Sequence, residues 1–299
     1  MAKGKAPGKH YRKSLSLDDM RRLFPTDKKA EKWFRKIFWK ENNDEPICPY
    51  CRGTRIVKSE KYKTREYCCE DCGKYFSLRT GTLMDGINMG YSDWVWFLYS
   101  ALFSPNGTDL ESFCYRTGTS PYTAKKLLSR FREALRIDDD VVFNGPVEVD
   151  DLILAKRIVV IMFDRLSGSI IAKVVPDRER ETIQNVVLKH TKKGSIVITD
   201  RSEVYKNLPD RTHYVMKKLR MNYDEVDGVG KITLSNIYAF WSKVKIAKEV
   251  RYSNFSPRYT QEFLNEFVGK RNIREEDSIV QFEIIAENMY RRGNSLVDV

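Results

Sequence analysis

The sequence predicts an α+β multidomain chain, with a zinc ribbon and a helix-turn-helix followed by a layered α/β domain and C-terminal helices. Three observations predict it. Four cysteines fall in two pairs, Cys48-Pro-Tyr-Cys51 and Cys69-Glu-Asp-Cys72, with seventeen residues between the pairs. Apolar residues recur at helical spacing from about 92 to 135. From 147 onward the pattern changes to short β-branched runs separated by turn residues.

Composition bounds the partner. The 299 residues carry 53 Lys and Arg against 41 Asp and Glu, a net charge of +12, which points to an anionic partner, double-stranded DNA first. Residues 1–46 read as a basic arm and two short helices. Lys3, Lys5, Lys9, Arg12 and Lys13 give the arm no acidic neighbour, which suits phosphate contact and equally suits a solubilising tail. The longest apolar run, Trp94 to Phe103, is about half the ~20 residues of a membrane span. With no signal peptide and no span, the sequence predicts a soluble chain with reduced cysteines that does not contact a membrane. Its expected place is the cytoplasm, on the nucleoid in a bacterium.

The second helix of the first segment carries Ala30, Trp33, Phe34, Ile37 and Phe38 at helical spacing, a packing face. Residues 47–80 form the expected ribbon. Cys48, Cys51, Cys69 and Cys72 have the spacing of a tetrahedral structural Zn²⁺ site, and Tyr67, Tyr75 and Phe76 supply strand formers around the second pair. Disulfides are the alternative, disfavoured in an intracellular chain. Cys68 adjoins Cys69 and could replace it, although only Cys69 leaves the two-residue gap. Cys114 reads as a small buried apolar residue.

Residues 88–137 form the expected DNA-binding domain. Ser92 is the expected cap of a helix through Phe103, Pro105-Asn-Gly107 breaks it, and Thr108 is the expected cap of a second helix to about Arg116. A third begins at Ser120, with Pro121 at its first position. Helix, glycine-containing turn, helix is a helix-turn-helix pattern and also that of an ordinary three-helix bundle. On the third helix Lys125, Lys126 and Arg130 lie off the apolar stripe, placed for a major groove.

Strands are expected over Val147–Leu154, Ile158–Phe163 and Ile170–Val175, a meander turned at Arg165-Leu-Ser-Gly168. A helix of about 178–190 follows, then a buried strand Ser195–Thr199 closed by Asp200 and a strand near His213 to Met216. Helices are expected at about 234–250, 257–271 and 276–291. Residues 146–272 thus read as an α/β core of ribonuclease-H type, and 273–299 as a C-terminal helix and tail. Asp150 and Asp200 lie on neighbouring strands, where paired carboxylates could hold Mg²⁺ or Mn²⁺; aspartates also simply end strands. His213, in a strand, reads as packed or half-exposed.

The chain resembles the small bacterial insertion-sequence transposases related to eukaryotic Merlin elements. Over about residues 8–272 the resemblance rests on Lys9-His-Tyr-Arg-Lys13, the two cysteine pairs, Lys74-Tyr-Phe-Ser77, Arg79-Thr-Gly-Thr-Leu83, Val147-Glu-Val-Asp150, Thr199-Asp200 and Phe240-Trp-Ser242. It implies binding of inverted repeats, cleavage and joining of DNA with divalent metal, Asp150 and Asp200 as the first two metal ligands, Lys245 near bound DNA, and a homo-oligomer, a dimer, on paired ends.

Two departures qualify it. Where relatives carry Glu or Asn as third ligand, this chain has Tyr238, a phenol with an ordinary pKa near 10 and a poor ligand for a hard cation. Asn236, two residues away on the helix, points elsewhere unless the helix rotates. Asp151 takes the position of a usual Glu, but the glycines and long basic loop that follow in relatives are missing. The reading is a DNA-binding protein of transposase descent with an impaired strand-transfer site. The alternatives are an active metal-dependent transposase and a transcription regulator or nucleoprotein-complex subunit.

Overall fold

In the computed structural model the described residues are 15–216, 224–252 and 256–294. The basic arm, His10, the Lys9–Lys13 segment and the extreme C-terminal tail lie outside them. The described chain forms two compact units, the first from stretches 15–104, 108–135 and 273–294, the second from 105–107 and 136–272.

In the first unit, α1 (Leu17–Leu23) opens with a capping box between Ser16 and Asp19, and α2 (Asp27–Phe38) is capped by Thr26. Ala30, Phe34 and Phe38 are buried on α2, as its spacing requires, while Trp33 lies edge-on to Phe24 and Phe34. The strands β1 (Ile56–Lys58), β2 (Tyr67–Cys69) and β3 (Tyr75–Phe76) make a three-stranded antiparallel sheet. Three helices follow, α3 (Tyr91–Leu102), α4 (Leu110–Thr117) and α5 (Pro121–Ala134). Phe97 of α3 meets Phe113 of α4 and Phe131 of α5 edge-on. The final helix α9 (Ser278–Asn294) packs on α2 and α5. Its Phe282, Ile285, Ala286 and Met289 are buried.

Two caps differ from the sequence reading. The N-cap of α3 is Gly90, and Asp27 of α2 accepts hydrogen bonds from the Ser92 backbone N (2.9 Å) and Oγ (3.2 Å). The carboxylate that satisfies the helix start comes from another helix, which local sequence cannot show. For α4 the cap is Asp109, not Thr108; its side chain accepts from Ser112 N at 3.1 Å. Ser120 caps α5 as expected, with Pro121 in the first turn, and Gly118 takes the left-handed conformation (φ 70°) that ends α4.

In the second unit, β4 (Val147–Leu154), β5 (Arg157–Asp164) and β6 (Ile170–Val175) form an antiparallel meander, and β7 (Ile196–Thr199) and β8 (Thr212–Val215) add to it in parallel. The order across the five-stranded mixed sheet is β6-β5-β4-β7-β8. Helix α6 (Arg180–Lys189) covers one face through Ile183 and Val187, against Val147, Val149, Val160 and Met162. On the other face α7 (Ser235–Arg251) and α8 (Thr260–Ile273) bring Ile237, Trp241, Val244, Phe263 and Leu264 onto Leu154, Val159, Ile161 and Phe163. Coverage on both faces explains the continuous apolar run of β5. A small hairpin of β9 (Glu225–Val226) and β10 (Gly230–Lys231) precedes α7. No helix among the described residues is long and apolar enough to cross a membrane.

Candidate metal centre and acidic site

The first ribbon turn is closed by Cys48 N donating to Gly53 O and Arg52 N donating to Cys48 O, both at 3.0 Å; the second by Cys69 N to Lys74 O (3.0 Å) and Gly73 N to Cys69 O (2.8 Å). These two turns bring the Sγ atoms of Cys48, Cys51, Cys69 and Cys72 within 4.8 Å of one another. The Cys48–Cys72 and Cys51–Cys69 sulfur pairs stand 3.6 Å apart. A tetrahedral ion with metal–sulfur bonds of about 2.3 Å sets sulfur–sulfur edges near ~3.8 Å, so the cluster could hold a metal such as zinc. Burial pushes the Cys48 thiol up to about 12, while the Tyr50 and Cys51 backbone amides hydrogen-bond its sulfur and pull the other way. Amides aimed at that sulfur suit a thiolate. Cys68 is outside the cluster, because adjacent strand residues point to opposite faces. Cys114 is half-buried.

On α5, Ala124, Leu127, Leu128 and Phe131 are buried while Lys125 and Lys126 are exposed and Arg130 is half-exposed. Lys126 Nζ lies 4.7 Å from the Tyr122 ring centroid. Arg132, on the same helix, is buried. Lys245 is exposed on α7 of the second unit.

The acidic site grows from β4. Alternation places Val147 and Val149 on the α6 face, and Glu148 and Asp150 on the α7 face. Asp150 is 5% exposed, and Asp200 follows the end of β7. Burial and the charge of Asp200 raise the Asp150 pKa to about 7, against the pull of the Asp151 amide and the Tyr238 hydroxyl. Asp200 Oδ1 accepts from Ser202 N at 2.9 Å, an aspartate turn. Tyr238 on α7 lies by Asp150, and burial with the charges of Asp150 and Asp200 pushes its pKa up to about 12. The structure therefore brings Asp150, Asp200 and Tyr238 together, and keeps Lys245 two turns along α7. His213, half-buried in β8 beside β7, has Nε2 2.8 Å from Thr199 Oγ1.

Neighbouring groups are committed elsewhere. Asp151 Oδ1 accepts from Tyr205 Oη at 2.9 Å, and its carboxylate pairs with Arg178 Nε at 2.5 Å. Asn236 donates Nδ2 to Glu148 Oε1 at 2.7 Å. Glu148, with no exposed surface, also accepts from the backbone N of Asn236 (3.1 Å) and Ile237 (3.3 Å) and from Arg165 Nε (2.9 Å). It caps α7 from β4, where no local side chain does so. Arg165 further donates to the carbonyls of Val229, Lys231 and Thr233. Sequence reasoning missed Glu148, Arg165, Arg178 and Tyr205. For Glu148 the signal was present, since Val-Glu-Val-Asp places it on the face of Asp150.

Comparison with known proteins bears on this second unit. Residues 145–272 match the ISXO2-like transposase domain. An uncharacterized protein in the transposable element ISH50 of Halobacterium salinarum is 24% identical over 131 residues, a match covering 44% of this chain and 42% of that protein. The match thus spans less than half the length of that curated relative.

Proposed function

We propose that the chain, whose residues 145–272 match an insertion-sequence transposase domain, is a DNA-binding protein of transposase descent whose strand-transfer site is impaired. In this reading the sheet order β6-β5-β4-β7-β8, with three antiparallel and then parallel strands, is a ribonuclease-H-like core. The cysteine cluster holds structural zinc, and α4 and α5 act as a helix-turn-helix with Lys125, Lys126 and Arg130 toward duplex DNA. Lys245 contacts the backbone of DNA docked on the core, and the protein works as a dimer on the nucleoid.

The observation that carries the impairment is that Tyr238 of α7 stands against the Asp150–Asp200 pair, close enough for both charges to raise its pKa. A phenol occupies the place of a third carboxylate and, kept neutral by its raised pKa, brings no charge to a hard cation. The adjacent candidates give no substitute: Asp151 is bound by Arg178 and Tyr205, and the Asn236 amide by Glu148. Asp150 and Asp200 remain as two carboxylates side by side, a donor set suited to Mg²⁺ or Mn²⁺. Such an ion would neutralise charge on the attacking and leaving oxygens of a phosphodiester. The protein's own part is to hold one acid within β4 and the other just past the end of the neighbouring β7.

The test is a nicking and strand-transfer assay with Mg²⁺ or Mn²⁺ on the DNA that flanks the gene, with wild type, Asp200→Ala and Tyr238→Glu. Silence in wild type with activity gained in Tyr238→Glu is the expected result. Wild-type activity that disappears in Asp200→Ala would instead establish a working transposase with an atypical site.

A further inference from the structure

Arg178 stands just before α6, held by a buried acid. Its Nε lies 2.5 Å from Asp151 Oδ2 and its Nη2 3.3 Å from Asp151 Oδ1. The Asp151 side chain is 4% exposed, whereas that of Arg178 is 55% exposed. Tyr205, wholly buried, adds a hydroxyl to the same Asp151 carboxylate at 2.9 Å. One edge of the guanidinium is thus fixed from behind, and its Nη1 makes no hydrogen bond or ion pair with another described residue. An ordinary surface ion pair has two mobile partners and contributes little. Here one partner is immobile, so the free edge of the fork is presented in a set direction.

That direction has chemical meaning because of the neighbours. Asp151 follows Asp150 in β4 and so turns to the α6 face with Tyr205, yet the charge of Asp200, just past the end of the neighbouring β7, still reaches Arg178 around the sheet end. A cation beside two carboxylates, yet bound by neither, is available for a third anion. The anion that fits a planar fork beside an acidic pair is a phosphodiester. We propose that Arg178 is a phosphate-binding residue that holds the DNA backbone beside the Asp150–Asp200 pair, with Asp151 and Tyr205 as its positioning residues. This rests on the reading of the acidic site as a face that meets DNA.

Two measurements on the full chain test it, with a 30-base-pair duplex carrying the gene's flanking DNA as the probe. In the first, wild-type protein is treated with phenylglyoxal with and without duplex, and modification is located by mass spectrometry. Duplex should slow modification of Arg178 several-fold and leave exposed Arg22 unchanged; equal rates at Arg178 would overturn the proposal. In the second, affinity is measured against salt. Arg178→Gln keeps a hydrogen bond to Asp151 but should lower the log–log salt slope by about 1, the loss of one phosphate contact, while Arg178→Lys should keep the slope. An unchanged slope in Arg178→Gln would count against it equally. An Asp150→Asn, Asp200→Asn variant, assayed without divalent ions, separates the two levels. Tighter binding shows that DNA meets the acidic face, so that a silent Arg178 then refutes only the arginine site; no tightening with no protection refutes the reading beneath it as well.

Discussion

At the residue scale, the cysteines were legible because metal ligation fixes spacing, and spacing is a property of sequence. Cys69 rather than Cys68 follows from the two-residue gap, and the structure places Cys69 in the cluster. Substituting Cys69 with Ser should therefore abolish bound zinc, measured by atomic emission on purified protein, while Cys68→Ser should keep it. The reverse pattern would reassign the ligand. Asp150 was legible as an acid within a strand and Asp200 as one closing the next, but the role of Glu148 was not, since a buried carboxylate is recognised by its donors and these come from the turn after β5 and the first turn of α7. Removing one partner of a buried ion pair leaves the other uncompensated. Glu148→Ala should cost about 3–5 kcal/mol of stability in the second unit, read by denaturant unfolding. A cost below ~1 kcal/mol would show that α7 stays capped without it.

Elements were legible where their signal is local. Periodicity gave α2, α5 and the meander, and the Ser-Pro start of α5 fixed its first residue. What failed were starts decided by tertiary partners, such as α3, whose capping carboxylate sits on α2. The β9–β10 hairpin is absent from the sequence expectation although Asp227-Gly228 is a hairpin signal, because its strands are only two residues each and carry no alternating run. The packing of α9 could not be read from its own sequence either. In its last turn the α-carbon of Gly293 passes so close to the backbone of Gly81 and Thr82 that an added Cβ would overlap Thr82. Backbone cannot step aside as a flexible side chain can. Gly293→Ala should thus destabilise the first unit by about 1–3 kcal/mol through overpacking, visible as faster hydrogen exchange in α9 and α5; unchanged exchange would mean that the helix end shifts without cost.

For the molecule as a whole, the +12 charge predicts an anionic partner, but pH sensitivity depends on which groups folding buries. Both described histidines lie in the second unit. His190 is 1% exposed, with Nδ1 2.8 Å from the Val141 carbonyl, and burial lowers its pKa below the ordinary value. The unfolded chain therefore takes up the proton more readily than the folded one. The stability His190 contributes is complete above its unfolded pKa of about 6.5 and is lost as pH falls below it. Asp150 works in the opposite sense, since its folded pKa lies above the unfolded one and protonation on acidification relieves a buried charge. Total stability therefore mixes the two signs, and only a difference isolates the histidine. Comparing wild type with His190→Gln by denaturant unfolding between pH 7.5 and 5, the wild type should lose its advantage as the solution is acidified, because glutamine has no proton to gain. A difference that is flat across that range would mean that the imidazole is already charged, or already solvated, in the folded protein.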